Sequence, residues 1–118
     1  MMRVNLEDYY ILSSILLGSG LIITFQNSLD VHDRRVLEIN EIVGFIDQRI
    51  NDQFVILRID DGGGSYPFDL SLRLRRREIA TYSEVFFFTD IKEVDFSFRA
   101  CAKSIILRGW EEEDSWLK

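Results

Sequence analysis

The sequence predicts an α+β fold in which one N-terminal helix packs on a curved, mainly antiparallel sheet of six to eight strands. Three observations lead to this prediction. After residue 34, most segments alternate apolar and polar side chains, the period of a strand with one buried face. The connections between these segments are short, which favours antiparallel pairing. Only residues 6–17 have the apolar spacing of a helix. A small β-barrel is the alternative architecture.

The N-terminal helix is predicted from its cap and from its apolar face. Asn5 is a suitable N-cap residue, and Asp8 stands where the helix dipole favours negative charge. The side chains that would share one face are those of Tyr9, Leu12, Ile15 and Leu16. Gly18 would end this helix, and residues 21–26 are predicted to form a short strand after it.

The remaining strands are predicted from alternation and from turn residues. They cover residues 35–46, with a bulge or bend at Gly44, and residues 54–59, 66–75, 84–89, 92–98 and 102–108. The Gly-rich segment 60–65 lacks the Gly-Lys-Ser/Thr ending of a phosphate-binding loop, so it is predicted to be a hairpin turn. The side chains expected in one core are those of Phe68, Leu70, Leu72, Leu74, Val94, Phe96 and Phe98.

Length and charge limit the possible functions. A chain of 118 residues is long enough for one domain, residues 1–118, with one core. Its net charge of −6 makes direct binding to nucleic acid unexpected and a basic protein the more natural partner. Cys101 is the only cysteine, so no internal disulfide can form, and a cytoplasmic location is expected. Polar residues interrupt the apolar stretch 9–25, so no membrane contact is expected, and a homodimer is left open.

The sequence contains no recognisable catalytic or metal-binding constellation. His32 is the only histidine, and its flanking carboxylates Asp30 and Asp33 are too few to complete a zinc or iron site. A serine or cysteine nucleophile would need this same histidine as its base. Cys101 lies in an apolar strand, where a buried structural thiol is the common case. We therefore expect no cofactor and no enzymatic turnover.

Two charge clusters are candidate binding sites. The first is a basic group that could bind an anion, formed by Arg73, Arg75, Arg76 and Arg77. The second is a C-terminal acidic group flanked by indoles, formed by Trp110, Glu111, Glu112, Glu113, Asp114 and Trp116. Carboxylates beside tryptophan suit recognition of a basic protein, because the rings supply contact area and the charges steer association. The alternatives are a solvated strand face for the first group and a flexible acidic tail, residues 110–118, for the second.

Two segments carry a resemblance to a known group of proteins. Residues 28–39 read SLDVHDRRVLEI, and residues 87–94 read FFTDIKEV. These segments resemble the His-Asp turn and the later aromatic-x-Asp-Ile segment of small bacterial immunity proteins found beside polymorphic toxins. The resemblance covers about residues 28–98. It implies a protein that neutralises a toxin by direct binding, without catalytic residues, and in which His32 and Asp33 form a structural turn.

The leading functional prediction is therefore a non-enzymatic immunity protein that binds a basic toxin. One alternative is an inhibitor from a phage or mobile element that mimics the charge of nucleic acid, since small size and acidity fit it equally well. Another alternative is a small domain that binds an anionic ligand through Arg73, Arg75 and Arg76.

Overall fold

The computed structural model describes residues 1–47, 54–61 and 82–117. In these ranges the chain forms one antiparallel sheet of seven strands with the order β1-β5-β6-β7-β4-β3-β2. The strands are β1 (Met2–Asn5), β2 (Tyr9–Leu17), β3 (Gly20–Asn27), β4 (Arg34–Asp47), β5 (Ile56–Asp61), β6 (Ser83–Phe88) and β7 (Phe96–Gly109), and a 3₁₀ helix follows at Glu112–Leu117. The described ranges contain no helix that is long and apolar enough to cross a lipid bilayer.

The predicted α+β class is wrong, because the N-terminal helix does not form. Residues 9–17 are strand β2, which pairs with β3 from Tyr9 to Leu17 with one irregularity at Leu12. The side chains of residues 9–16 alternate between half-buried and exposed, the period of a strand. Asn5 accepts a hydrogen bond from the backbone N–H of Glu7 at 2.9 Å, in a local turn. Gly18, with a φ of 61°, opens the two-residue turn between β2 and β3, so it ends a strand.

Other predicted strands are confirmed in the structure, with one bulge predicted correctly. Strands β3, β5 and β6 coincide within a few residues with predicted segments, and the register of β4 shifts between Ile42 and Gly44. The two predicted strands 92–98 and 102–108 are instead one strand, β7. Residues 89–95 connect it to β6, and the carboxylate of Asp90 accepts hydrogen bonds from the backbone N–H groups of Val94 and Asp95.

The predicted core is only partly correct. Phe98 is buried, whereas Val94 lies in the β6–β7 connection with 69% of its surface exposed. A register shift between β6 and β7 turns Phe96 to the opposite face of the sheet, where its ring meets that of Phe86 at 6.4 Å. Phe68, Leu70, Leu72 and Leu74 lie outside the described residues, as does the Gly-rich turn.

The sheet is strongly curved because its two edge strands are neighbours along the chain. Only residues 6–8 join β1 to β2, although these strands lie at opposite ends of the sheet order. A flat sheet of this width would separate them by roughly 29 Å, from a strand spacing of about 4.8 Å. The connection reaches about 15 Å at full extension. Phe25 of β3 and Phe87 of β6 accordingly meet at 5.8 Å between ring centroids, although two strands lie between them.

The core fills the concave face of this curved sheet. Its buried members are Leu6, Leu21, Ile23, Phe25, Leu37, Ile39, Phe54, Leu57, Ile59, Val85, Phe87, Phe98, Ala100 and Ala102. Leu6 stands in the connection between the edge strands and is fully buried, so the link that curves the sheet also fills its interior. The convex face is called the outer face below.

Replacing Phe25 by alanine tests this packing. Its ring contacts Phe54 and Phe87 in the interior, so we expect Phe25→Ala to lower the free energy of unfolding by about 3–5 kcal/mol. The exposed Leu29 is the control, and Leu29→Ala should change the free energy of unfolding by no more than about 0.5 kcal/mol. Urea denaturation of both variants gives the comparison. Equal losses for the two would contradict the assignment of the concave face as the core.

Candidate protein-interaction surface

The ion pair between Arg108 and Asp114 anchors the C-terminal acidic segment to the sheet. After β7 the chain turns into the 3₁₀ helix, and the buried carboxylate of Asp114 faces Arg108. Both of its oxygens accept hydrogen bonds from the guanidinium at 2.7 Å, and one also accepts the backbone N–H of Glu111 at 2.8 Å. The Arg108 guanidinium holds the pKa of Asp114 below its ordinary value. Leu117 is buried as well, so the segment is held at two points.

Trp110 belongs to the supporting structure of this segment. Its backbone N–H donates to the carbonyl of Arg34 at 3.0 Å. The guanidinium of Arg34 lies over the indole, 5.4 Å from the ring centroid, and also donates to the side chain of Gln26. A cation over an aromatic face is attractive, so this stack fixes the start of the segment against β4.

The other predicted residues of the segment face outward. Glu111, Glu112 and Glu113 are exposed, and 56% of the surface of Trp116 is exposed. We call these four residues the acidic surface. The structure thus separates the six predicted residues into four that are presented to the outside and two, Trp110 and Asp114, that hold them in place.

The residues missed from the sequence are the two cations that anchor the segment. Arg108 and Arg34 carry no local signal for this role: Arg108 is six positions before Asp114, a spacing that makes them neighbours neither on a helix nor on a strand. The basic group Arg73–Arg77 lies outside the described residues.

A second concentration of charge, which the sequence analysis missed, lies on the outer face. Strand register places Arg3 opposite Arg58, Arg58 opposite Phe86, and Phe86 opposite Arg99. The guanidinium carbons of Arg58 and Arg99 each lie 4.6 Å from the centroid of the Phe86 ring. This row of cations and rings spans four strands, which explains why no single segment revealed it.

Three acids neutralise this row. Glu93, from the β6–β7 connection, pairs with Arg3 at 2.5 Å and with Arg58 at 3.3 Å. Asp60 pairs with Arg58 at 3.2 Å, and Glu84 pairs with Arg99 at 3.0 Å. We call these six charged residues and Phe86 the outer charged cluster. Because its cations and acids are paired with one another, we interpret it as a structural network.

Glu84 is the unusual member of this cluster. Its side chain is fully buried, and burial raises the pKa of Glu84 to about 7, although the neighbouring Arg99 favours the charged form. Within the described residues no donor reaches its second oxygen, Oε2. A carboxyl group that is closed off from solvent is unavailable to a substrate in this conformation.

The remaining reactive candidates have structural surroundings. Burial raises the pKa of Cys101 to about 12, with a smaller contribution from Glu84, so the thiol stays protonated at neutral pH. His32 lies in the exposed turn between β3 and β4, and its backbone N–H donates to the Asp30 carboxylate. Asp33 accepts hydrogen bonds from the side chains of Tyr9 and Asn27. The described ranges contain no group of three potential metal ligands.

Comparison with known proteins does not identify a relative. No protein-family model, no curated protein sequence and no solved structure matches this chain. The two segments that resemble immunity proteins lie in the β3–β4 turn with the start of β4, and at the end of β6 with the following connection. That resemblance stays a prediction.

Asp114→Asn tests the anchor of the acidic surface. The change keeps the shape of the side chain but removes a charge-assisted pair, so we expect the free energy of unfolding to fall by about 1.5–3 kcal/mol. Because the pKa of Asp114 is lowered in the folded state, its contribution is present at neutral pH and disappears in acid. Glu113→Gln, in the adjacent exposed residue, should change stability by less than about 0.5 kcal/mol. Chemical denaturation at pH 7 measures the free energy of unfolding of both variants. Equal losses for Asp114→Asn and Glu113→Gln would contradict the role of Asp114 as the anchor of the segment.

Glu84→Gln tests the buried carboxyl group. The unfolded chain releases the Glu84 proton near the ordinary pKa of 4.5, and the folded chain releases it near 7. Stability should therefore fall as pH rises through this window, by roughly 3 kcal/mol in total, and Glu84→Gln should lack that loss. Denaturation at pH 4.5 and pH 8 measures the change, with the exposed Glu112→Gln as control. If wild type and Glu84→Gln differ in free energy of unfolding by the same amount at both pH values, Glu84 has an ordinary pKa in the folded protein.

Proposed function

We propose that the protein is a non-enzymatic binding protein that neutralises a basic partner protein in the cytoplasm, as immunity proteins neutralise toxins. The observation that carries this proposal is the anchored acidic surface. Its three exposed carboxylates and one exposed indole stand beside an acid, Asp114, whose own charge is used to hold the segment in place.

Anchoring matters for binding because ordering a loose segment costs free energy. A side chain that is immobilised at an interface loses roughly 0.5–1.5 kcal/mol of entropy, and a mobile backbone loses more. The Arg108–Asp114 pair and the Arg34–Trp110 stack order the acidic segment before any partner arrives. A partner would therefore meet carboxylates that are already in position.

The two kinds of residue in the acidic surface would have different roles. Exposed carboxylates act over a distance of about 8 Å at physiological salt and accelerate the approach of a basic protein. The Trp116 indole has a large surface that a partner could desolvate, and tryptophan is enriched among the residues that dominate binding energy. The net charge of −6 supports a basic partner over an acidic one.

The charge contribution is tested with a triple variant, Glu111→Gln, Glu112→Gln and Glu113→Gln. The partner is first recovered by pull-down from the native host and identified, and association is then measured at two salt concentrations. We expect slower association and a flatter salt dependence in the variant, with stability nearly unchanged because Asp114 is retained.

The indole is tested in the same assay. Trp116→Ala should mainly accelerate dissociation, and Val94→Ala, at another exposed apolar residue, should leave both rates unchanged. Unchanged kinetics in both the triple variant and Trp116→Ala would place the contact surface elsewhere and overturn the proposal.

A further inference from the structure

Strand β2 forms an apolar edge of the sheet in the part of the chain that the structure describes. Its nine residues, Tyr9–Leu17, carry no formal charge in a chain of net charge −6. Among the strands of the described ranges, β2 pairs only with β3, so every second backbone N–H and C=O group along its other side has no strand partner there. The opposite edge strand, β1, has four residues and carries Arg3.

The two edges differ in the protection that soluble proteins usually give to a sheet edge. Short length, charged side chains, proline and bulges discourage pairing with another chain. Strand β1 has a short length and a charge, and its cation is held by Glu93. Strand β2 has only a register irregularity at Leu12, which interrupts a run of otherwise regular pairing.

Exposed apolar side chains accompany this edge. Leu16 has 73% of its surface exposed, and Tyr10, Leu17 and Phe45 are also exposed. A groove of about 260 Å³ opens beside β2, lined by Ser14, Leu16, Leu21, Ile42, Phe45, Asp47 and Phe98. An edge strand next to an apolar groove has the two components of strand addition, in which backbone hydrogen bonds give affinity and side-chain contacts give specificity.

We propose that β2 pairs with β2 of a second copy of this chain, in an antiparallel dimer. The strand is complementary to itself under the two-fold symmetry that such a dimer requires. Ile11 lies opposite Phe25 and Leu16 lies opposite Leu21, so these two side chains face the concave side. Tyr10 and Leu17, which lie opposite Gln26 and Gly20, face the outer side.

A two-fold axis at Ser14 places matching residues against each other. With the extra residue Leu12 left out of the pairing, Ile11 of one copy stands opposite Leu16 of the other. Tyr10 then stands opposite Leu17, and the two Ser14 residues meet at the axis. Each pair joins side chains of the same face, and aromatic–aliphatic and aliphatic pairs stabilise antiparallel strands. Because β2 has no charge, no like charges are brought together along the paired strands.

A second copy fits this edge better than the basic partner proposed above. β2 offers no carboxylate to a cationic segment, and the acidic surface extends from β7, which is separated from β2 by β3 and β4. The two proposals are independent, since each concerns a different edge or segment of the molecule.

The dimer is tested first by its mass. Sedimentation equilibrium of the full chain should give twice the monomer mass of 13.9 kDa at micromolar concentration. Leu16→Lys should raise the dissociation constant of the dimer at least tenfold. Because of the two-fold symmetry, each copy would bring one lysine charge into the apolar contact. Ile91→Lys, at a residue of similar exposure (75%) in the β6–β7 connection, should leave it unchanged. A monomer at all concentrations up to about 100 μM would overturn the proposal.

The register is tested by a cysteine at the proposed axis. The Cα atoms of directly opposed residues in antiparallel strands lie about 4.5–5.5 Å apart, within the Cα–Cα range of about 4.4–6.8 Å that a disulfide spans. Ser14→Cys should therefore give a disulfide-linked dimer on mild oxidation, whereas Leu29→Cys in the β3–β4 turn should not. Cys101 is buried and does not compete. The β2 interface would be overturned if the wild type is a dimer but Ser14→Cys forms no more cross-linked dimer than Leu29→Cys does. This result does not depend on whether Leu16→Lys folds.

Discussion

The three-residue connection between β1 and β2 is the constraint on which the rest of the described structure depends. It joins the two edges of a seven-stranded sheet, and the sheet must curve for such a short segment to reach. Curvature gives the sheet a concave face, in which rings from non-neighbouring strands such as Phe25 and Phe87 can pack together. Leu6, inside the connection, is fully buried in the same core. Within the described ranges, these core side chains pack against one another across the curved sheet.

Strand register determines which side chains meet on the outer face. Outward positions of β5, β6 and β7 bring Arg58, Phe86 and Arg99 into one row, and the acids around them complete a network of charges. Such a network is not an obvious source of stability, since desolvation of buried charges offsets much of their attraction. Glu84 shows this conflict: burial raises the pKa of its carboxyl group to about 7 despite the adjacent Arg99. The paired guanidinium groups nevertheless shelter the aromatic face beneath them.

The C-terminal segment shows how neighbouring acids acquire different roles. Glu111, Glu112, Glu113 and Asp114 are consecutive and chemically similar, yet only Asp114 is buried against a guanidinium. Arg108 reaches it from the end of β7, and the same guanidinium pairs with Glu38 of β4 at 3.4 Å. The anchor therefore ties the terminal segment to two adjacent strands. An acidic sequence that would be mobile by composition alone becomes an ordered surface.

The sequence by itself determined strands β3, β4, β5 and β6, the irregularity before Gly44 and the burial of Cys101, because side-chain period and residue size are local properties. Residues 9–17 satisfied both periods: Tyr9, Leu12 and Ile15 share a helical face, while Tyr9 and Ile11 share a strand face before the irregularity at Leu12. Only pairing with β3 decided between them. The acids of the C-terminal segment were likewise visible in the sequence, but the separation of Asp114 from its neighbours was not. That separation arises because the tertiary fold brings Arg108 to the Asp114 carboxylate. Tertiary contacts of this kind produce no repeating pattern in the sequence.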